Sequence, residues 1–244
     1  MSSAPDDAAV EVADSRIPVA LPAGTAEVSC DLALPDGEPW AAVAVAHGAG
    51  AGYRHPFLVG FARALRDEGV ATVRFNFPYV EAGRRMPGPA AHAIVTWTAV
   101  EAAAREVLPG VPFVAAGKSY GGRMASMAAA EGAIAPAALV YLGYPLHPPG
   151  QPEKDRSAHL PRIAAPQLFV EGTNDPFVVP HEGLEAAVAS CQDATLEWID
   201  GGGHSFEVKG RKRPADEVGA GLAPLVAAFV RRVASAGRDR AARA

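Results

Sequence analysis

The sequence predicts an α/β fold, with a mostly parallel, twisted sheet of about seven to eight strands and helices on both faces. Short, almost continuously apolar runs alternate with longer segments of helical spacing, and strands buried on both faces have that composition. A chain of 244 residues with 49% hydrophobic content suffices for one large core, and no linker rich in Gly, Ser or Pro divides it. We therefore expect a single domain.

The first expected strand is half-buried and lies near an edge of the sheet. Val28, Cys30, Leu32 and Leu34 alternate with polar residues, which gives one apolar face. Cys30 is then a small buried apolar residue. Six further strands are expected at the apolar runs 41–46, 70–75, 111–117, 137–143, 167–172 and 195–200.

The segments between these runs have helical spacing. Phe57, Phe61 and Leu65 form one apolar stripe that ends at Gly69, and a second helix is expected from Pro89 onward. Others are expected at 121–131, 181–190 and about 216–234. In such folds, ligands bind in the crevice outside the carboxyl ends of the strands, so chemistry is expected there.

Both ends of the chain are expected to be disordered tails. Residues 1–14 are small and acidic, and residues 235–244 are small and basic. The domain is then expected to span residues 15–234.

Composition excludes several classes of function. The net charge of −5 argues against a surface for nucleic acid. Two distant cysteines, Cys30 and Cys191, predict neither a disulfide framework nor a zinc site. The sequence shows no signal pattern and no run of apolar residues long enough to span a bilayer. We therefore expect a cytoplasmic protein with no membrane partner. No metal or organic cofactor is expected, and a monomer and a homodimer both remain open.

A strong motif follows the run 111–117. Gly117-Lys118-Ser119-Tyr120-Gly121 is a G-x-S-x-G sequence between a predicted strand and a predicted helix. Such a sharp turn needs small residues two positions before and after the serine, and it places the serine at a helix N-terminus. Ser119 is therefore the candidate nucleophile. The alternative is a serine with a packing role only.

A serine nucleophile needs a base, and the base needs a carboxylate to orient it. His204 follows the last predicted strand in a loop with three preceding glycines, and it is favoured over the six other histidines. Asp175 lies in a turn after the run 167–172 and is the favoured acid. Glu171, Asp193 and Asp200 remain alternatives to it.

Two backbone N–H groups are expected to stabilise an oxyanion. One belongs to Tyr120, and the other to the glycine-rich loop 47–52, with Ala49 the first choice and Gly50 the second. His47 is expected to orient this loop rather than to act as the base, and His55 to cap a helix. A phosphate-binding loop is an alternative, but the GK[ST] ending is missing.

Further residues near the carboxyl ends are candidate substrate contacts. Lys118 and Arg84, with Arg74 and Arg85, could meet a carboxylate or phosphate. Pairing with Glu81, Glu153 or Asp155 is the alternative. Gly50 and Tyr144 are also candidates. The segment 144–161 is too short for a large cap domain, so an open site is expected.

Several blocks of sequence resemble a known family. The likeness is to the α/β-hydrolase-like family that includes mammalian testis-expressed protein thirty and the hydrolase-like domain of a subunit of the NSL histone-acetyltransferase complex. The chain is also similar to the broader dienelactone-hydrolase group. The blocks are HGAGAG (47–52), RFNFPYVEAGRR (74–85), GKSYGGRMAS (117–126), YLGYPLHPPGQPEK (141–154), FVEGTNDPF (169–177) and GGGHSF (201–206).

The resemblance implies an α/β-hydrolase fold, and the order Ser119, Asp175, His204 is the chain order of such enzymes. Dienelactone hydrolases proper use a cysteine nucleophile, so their substrate does not transfer to a chain with Ser119. We expect a serine hydrolase that acts on a small or medium acyl ester or thioester through an acyl-enzyme. The alternative is a catalytically silent hydrolase-fold protein that serves as an interaction module.

Overall fold

The computed structural model describes residues 12–241, and the side chains of residues 14–236. These residues form one eight-stranded sheet in the order β1-β2-β4-β3-β5-β6-β7-β8. The strands are β1 Val12–Leu21, β2 Gly24–Ala33, β3 Ala41–Ala46, β4 Val70–Phe75, β5 Phe113–Lys118, β6 Ala138–Leu142, β7 Gln167–Gly172 and β8 Ala194–Ile199. The predicted α/β class is confirmed.

The direction of the strands explains where a site can form. β1 pairs antiparallel with β2, and β2 pairs antiparallel with β4. From β4 through β8 every pairing is parallel. The carboxyl ends of six strands therefore meet along one edge, where the connecting loops can converge on a ligand.

Helices cover both faces of this sheet. They are α1 Pro56–Asp67, α2 Pro78–Glu81, α3 Ala90–Val107, α4 Tyr120–Ala130, α5 His181–Ala189, α6 Ala215–Ala220 and α7 Ala223–Ala241. One core contains Trp97 of α3 and Met124 of α4, and the other contains Phe61 of α1 and Val226 of α7, all buried. Alternate residues of the central strands supply each core, as their continuous apolar runs require.

The largest difference from the sequence analysis is β1. Its buried Ile17 and Val19 alternate with exposed Arg16 and Pro18, so it is a half-buried edge strand. It begins at Val12, inside the predicted tail 1–14. The predictions for residues 1–11 and 242–244 lie outside the described residues.

The C-terminal helix also differs from its prediction. The expected helix 216–234 is two helices, α6 and α7, and α7 continues to Ala241 through most of the predicted tail 235–244. The stretch Ala215–Ala236 is long and apolar enough to cross a membrane, but half of it is buried in the domain. Its apolar side chains, such as Val226 and Phe229, are accounted for by packing in the core.

No cap domain is inserted between β6 and β7. Within the described residues, the only helix there is a 3₁₀ turn at Leu160–Arg162. Tyr144 Oη donates to the carbonyl of Arg156 at 3.1 Å, and Ser126 Oγ lies 2.6 Å from His159 Nε2. The first contact lies within the segment 144–161 and the second joins it to α4, and no helical cap covers the carboxyl edge of the sheet there.

Candidate active site

Ser119 lies in the sharp turn that the G-x-S-x-G motif predicts. β5 ends at Lys118, α4 begins at Tyr120, and Ser119 between them has φ 50° and ψ −115°. A positive φ is strained for a residue other than glycine. A Cβ on Gly117 would lie 2.2 Å from the nitrogen of Gly122, and one on Gly121 would lie 2.6 Å from the carbonyl oxygen of His47. Both positions therefore require glycine.

The structure brings Ser119, His204 and Asp175 into one chain of contacts. His204 Nε2 lies 2.8 Å from Ser119 Oγ, and His204 Nδ1 lies 2.6 Å from Asp175 Oδ2. Asp175 is fully buried, and its Oδ1 accepts the N–H of Phe177 at 2.8 Å. With the Nδ1 proton donated to Asp175, His204 Nε2 is free to accept the hydroxyl proton of Ser119.

Close backbone packing fixes the distance between the acid and the base. A Cβ on Gly172, at the end of β7, would lie 2.2 Å from the carbonyl oxygen of Gly202. The N–H of Asn174 donates to that same carbonyl at 2.8 Å. The loop that carries Asp175 is therefore in direct contact with the glycines that precede His204.

The other candidate acids do not reach His204. Glu171 is fully buried in β7, where its Oε1 accepts the N–H of Tyr144. Burial raises the pKa of Glu171 well above its usual range. The carbonyl of Asp193 accepts the N–H of Gln167 at the start of β7. Asp193 therefore lies at the amino end of this strand, opposite the end that carries His204 and Asp175. Asp200 lines a neighbouring hollow whose lining includes neither Ser119 nor His204.

His47 fixes the glycine-rich loop after β3, as predicted. Its Nδ1 donates to the carbonyl of Gly48 at 2.8 Å, and its Nε2 accepts the N–H of Phe77 at 3.2 Å. Burial lowers the pKa of His47 to about 4, so the imidazole is neutral. This side chain thus ties the loop to the residues that follow β4.

The two predicted oxyanion donors are free. Within residues 12–241, no protein acceptor binds the N–H of Tyr120 or that of Ala49. Tyr120 is the first residue of α4, where the helix N-terminus favours negative charge. Ala49 lines the same cavity as Ser119, whereas Gly50 does not. Ala49 is therefore the better second donor.

A cavity of about 520 Å³ opens beside Ser119 and His204. Phe57 and Leu58 of α1 and Val218 of α6 give it an apolar wall. Phe177 also lines it and packs its ring on His204, with the centroids 4.2 Å apart. Sequence reasoning missed Phe177; its place two residues after the candidate acid is the signal that could have indicated it.

His55 performs the capping role that the sequence suggests. Its Nδ1 accepts the N–H of Phe57 at 3.3 Å, at the first turn of α1. The ring also borders the cavity.

The structure corrects most of the predicted substrate contacts. Tyr144 is fully buried, and Arg84 lines a separate hollow of about 180 Å³ beside Tyr79. Gly50 has a positive φ of 76° but lies outside the cavity, so its role is to shape the loop. Arg74 pairs with Asp31 at 2.6 Å, which is not one of the predicted partners.

Lys118 has a different place from the predicted one. It borders the cavity, but its Nζ donates to the carbonyl of His204 at 2.6 Å. Burial lowers the pKa of Lys118 to about 8, although the nearby carboxylates of Glu171, Asp175 and Glu207 favour its charged form. This amine therefore holds the His204 backbone instead of pointing freely at a substrate.

Among the described residues, no group of three or more His, Cys, Asp or Glu side chains is arranged to hold a metal ion.

Fold and site together define the class of α/β hydrolases. The family described as "alpha/beta hydrolase domain" matches residues 39–231, and the chain belongs to that family. The matched range begins after the β1–β2 hairpin and includes all of the candidate site residues.

Solved structures with the same fold are similar over most of the chain. A dienelactone hydrolase from Anabaena variabilis has 20% identity and a TM-score of 0.69, with 91% of this chain and 98% of that one covered. Est1E from Butyrivibrio proteoclasticus has 18% identity and a TM-score of 0.66, with 90% and 99% covered. XC6422 from Xanthomonas campestris, described as an α/β serine hydrolase without a lid, has 21% identity and a TM-score of 0.60, with 79% and 86% covered. The resemblance to the testis-expressed and NSL-subunit family stays a prediction.

Proposed function

We propose that this protein is a serine hydrolase that cleaves a carboxylic ester or thioester with a small or medium acyl group. One observation carries the proposal. The contacts from Asp175 to His204 and from His204 to Ser119, at 2.6 and 2.8 Å, are made around a serine with strained backbone at the mouth of a cavity. An activated serine of this kind is suited to acyl transfer.

In the first step, Ser119 Oγ attacks the carbonyl carbon of the substrate while its proton moves to His204 Nε2. A new C–O bond forms, and the carbonyl oxygen becomes an oxyanion that the N–H groups of Tyr120 and Ala49 stabilise. Asp175 stabilises the imidazolium through its contact with Nδ1.

In the second step, the tetrahedral intermediate collapses to an acyl-serine. The bond to the leaving group breaks, and the leaving atom takes the proton from His204 Nε2. Water then reacts in the same way as the serine did: it gives a proton to His204 and attacks the acyl carbon. The bond to Ser119 Oγ breaks, the acid is released, and Ser119 takes the proton back from His204. Protein side chains and backbone perform each step, so we propose no cofactor.

The volume of the cavity is an argument for a small or medium substrate. Its volume of about 520 Å³ and apolar wall are compatible with a small or medium acyl chain, and ligand pockets commonly have such volumes. The likeness to a dienelactone hydrolase and to proteins described as esterases is compatible with this class of reaction.

Fluorophosphonate labelling tests the proposal, because the probe reacts only with an activated serine. We expect labelling of the full-length chain that Ser119→Ala abolishes, with circular dichroism as the check that the variant is folded. A panel of esters and thioesters of increasing acyl length then gives kcat/KM. If Ser119 is not labelled and no ester is hydrolysed, the alternative of a silent interaction module replaces this proposal.

A further inference from the structure

A basic loop follows the candidate base in the chain. Residues 209–213 have the sequence Lys-Gly-Arg-Lys-Arg, so four of these five residues are cations. The protein as a whole has a net charge of −5. All four of these side chains are exposed. Such a concentration of charge beside a site creates a local positive field in an otherwise acidic molecule.

Backbone contacts attach this basic loop to the His204 loop. The N–H of Arg211 donates to the carbonyl of Val208 at 3.0 Å, in a turn that Gly210 allows with φ 83°. Val208 forms a bridge with Gly202, and the N–H of Gly203 donates to the carbonyl of Glu207 at 3.0 Å. The backbone that carries the cations is therefore held at a defined place relative to His204.

The basic loop borders a second hollow next to the cavity of the candidate active site. This hollow, of about 640 Å³, is lined by Arg211, Lys212 and Arg213. Glu207, Arg213 and Val218 line both spaces, so the hollow adjoins the cavity.

Most of these cations have no ionic partner. Arg213 lies 3.8 Å from Glu217, but within the described residues Lys209, Arg211 and Lys212 form no ion pair. Asp200 and Glu207 line the hollow, yet neither is within ion-pair distance of a cation there. The guanidinium of Arg211 and the ammonium of Lys212 thus keep free donors, and such groups recognise phosphate oxygens.

We propose that this hollow is a subsite for a phosphate group on the leaving group of the substrate; this inference rests on the proposed function. The leaving atom must reach His204 Nε2 to take its proton, so the rest of the leaving group lies on the side of His204. Ser205, Glu207 and Arg213, which follow His204 in the chain, line the cavity, and Glu207 and Arg213 also line the hollow beside the basic loop. The substrate class is therefore an acyl ester or thioester whose alcohol or thiol carries a phosphate several bonds from the reacting carbonyl.

A matched pair of substrates tests the subsite. Acyl-pantetheine and acyl-4′-phosphopantetheine thioesters with the same acyl group differ by one phosphate. We expect the phosphorylated compound to have the higher kcat/KM by about tenfold, because the phosphate gains contacts with two exposed cations that the neutral thioester lacks.

Two double variants separate the subsite from general electrostatics. R211S/K212S should lose the preference for phosphate and keep its rate on the neutral thioester. R84S/R85S removes the same charge from another exposed loop and should keep the preference. Equal rates of the unmodified protein on both thioesters, or an equal loss in the two variants, would overturn the subsite.

A binding measurement makes the outcome independent of turnover. Calorimetric titration with inorganic pyrophosphate should show binding to the full chain that weakens in R211S/K212S but not in R84S/R85S. If Ser119 is not labelled but this pattern holds, the proposed reaction fails and the anion site stands. If esters are hydrolysed but pyrophosphate does not bind and phosphate gives no preference, the subsite fails and the proposed reaction stands.

Discussion

Besides Ser119, three side chains contact His204, each at a different point of the residue. Asp175 contacts Nδ1, Phe177 packs on the ring, and Lys118 holds the backbone carbonyl. The first contact decides which nitrogen carries the proton, and the other two decide where the ring lies. Substitutions at these positions should therefore affect turnover in different ways.

Asp175→Asn tests the contact that sets the tautomer. The amide keeps the shape of the side chain but removes the negative charge that stabilises the imidazolium, so kcat should fall about 10³–10⁴-fold with little change in KM. Ester hydrolysis measures both constants. A variant that keeps more than a tenth of kcat would show that turnover does not depend on the charge of Asp175.

Lys118→Met tests the contact with the His204 carbonyl. Loss of a charged donor at 2.6 Å leaves that carbonyl without its partner and loosens the loop, so we expect kcat to fall about 10- to 100-fold. Lys118→Arg should restore part of this activity. If KM alone rises in Lys118→Met, the side chain binds substrate, as the sequence analysis supposed.

That the three candidate catalytic residues lie together could be predicted from sequence, because each follows a strand at the carboxyl edge of the sheet. Ser119, Asp175 and His204 occupy turns whose positions follow from the alternation of strands and helices. The supporting contacts could not be predicted in this way. Whether Tyr144 turns into the core or Lys118 turns toward a carbonyl depends on side-chain directions that are set by packing between distant segments.

At the level of secondary structure, the site depends on how closely two loops approach. Gly172→Ala places a methyl group 2.2 Å from the carbonyl oxygen of Gly202, so the ends of β7 and β8 must move apart. We expect this variant to lose most activity and about 2–4 kcal/mol of unfolding free energy, as overpacked sites do.

Gly203→Ala is the matched control for that substitution. A Cβ at Gly203 meets its nearest atom at 3.7 Å, an ordinary contact, in the same loop. This variant should keep the stability of the unmodified protein, as measured by urea denaturation alongside ester hydrolysis. Equal damage in the two variants would mean that the loop, rather than the contact between loops, is sensitive.

The sequence predicted the buried elements better than the edges. Strands β3 to β7 are continuous apolar runs and lie where they were expected. β1 was missed because, among its residues 14–21, whose side chains the structure describes, only Ile17 and Val19 are buried apolar residues, and its stability comes from pairing with β2. Such pairing depends on a partner strand, so the residues of the strand itself show only a weak strand pattern.

For the molecule as a whole, a buried neutral histidine makes the unfolding free energy depend on pH. His47 is fully buried between two backbone contacts, and its pKa is lowered from 6.5 to about 4. Between these values the unfolded chain binds a proton at His47 and the folded chain does not. Stability therefore falls as pH decreases from about 6.5 to about 4.

His47→Gln should remove this part of the acid sensitivity, because an amide offers a donor and an acceptor but no titration in this range. The variant should be less stable at pH 7, and the gap to the unmodified protein should narrow by about 2–3 kcal/mol at pH 4.5. Urea denaturation at both pH values measures the gap, with His92→Gln as a control outside the site. Since the other titrating groups are common to both proteins, their contributions cancel in the difference. A gap that stays constant with pH would mean that His47 takes up its proton in the folded protein as readily as in the unfolded chain, and that the loop holding Ala49 tolerates a charged imidazole.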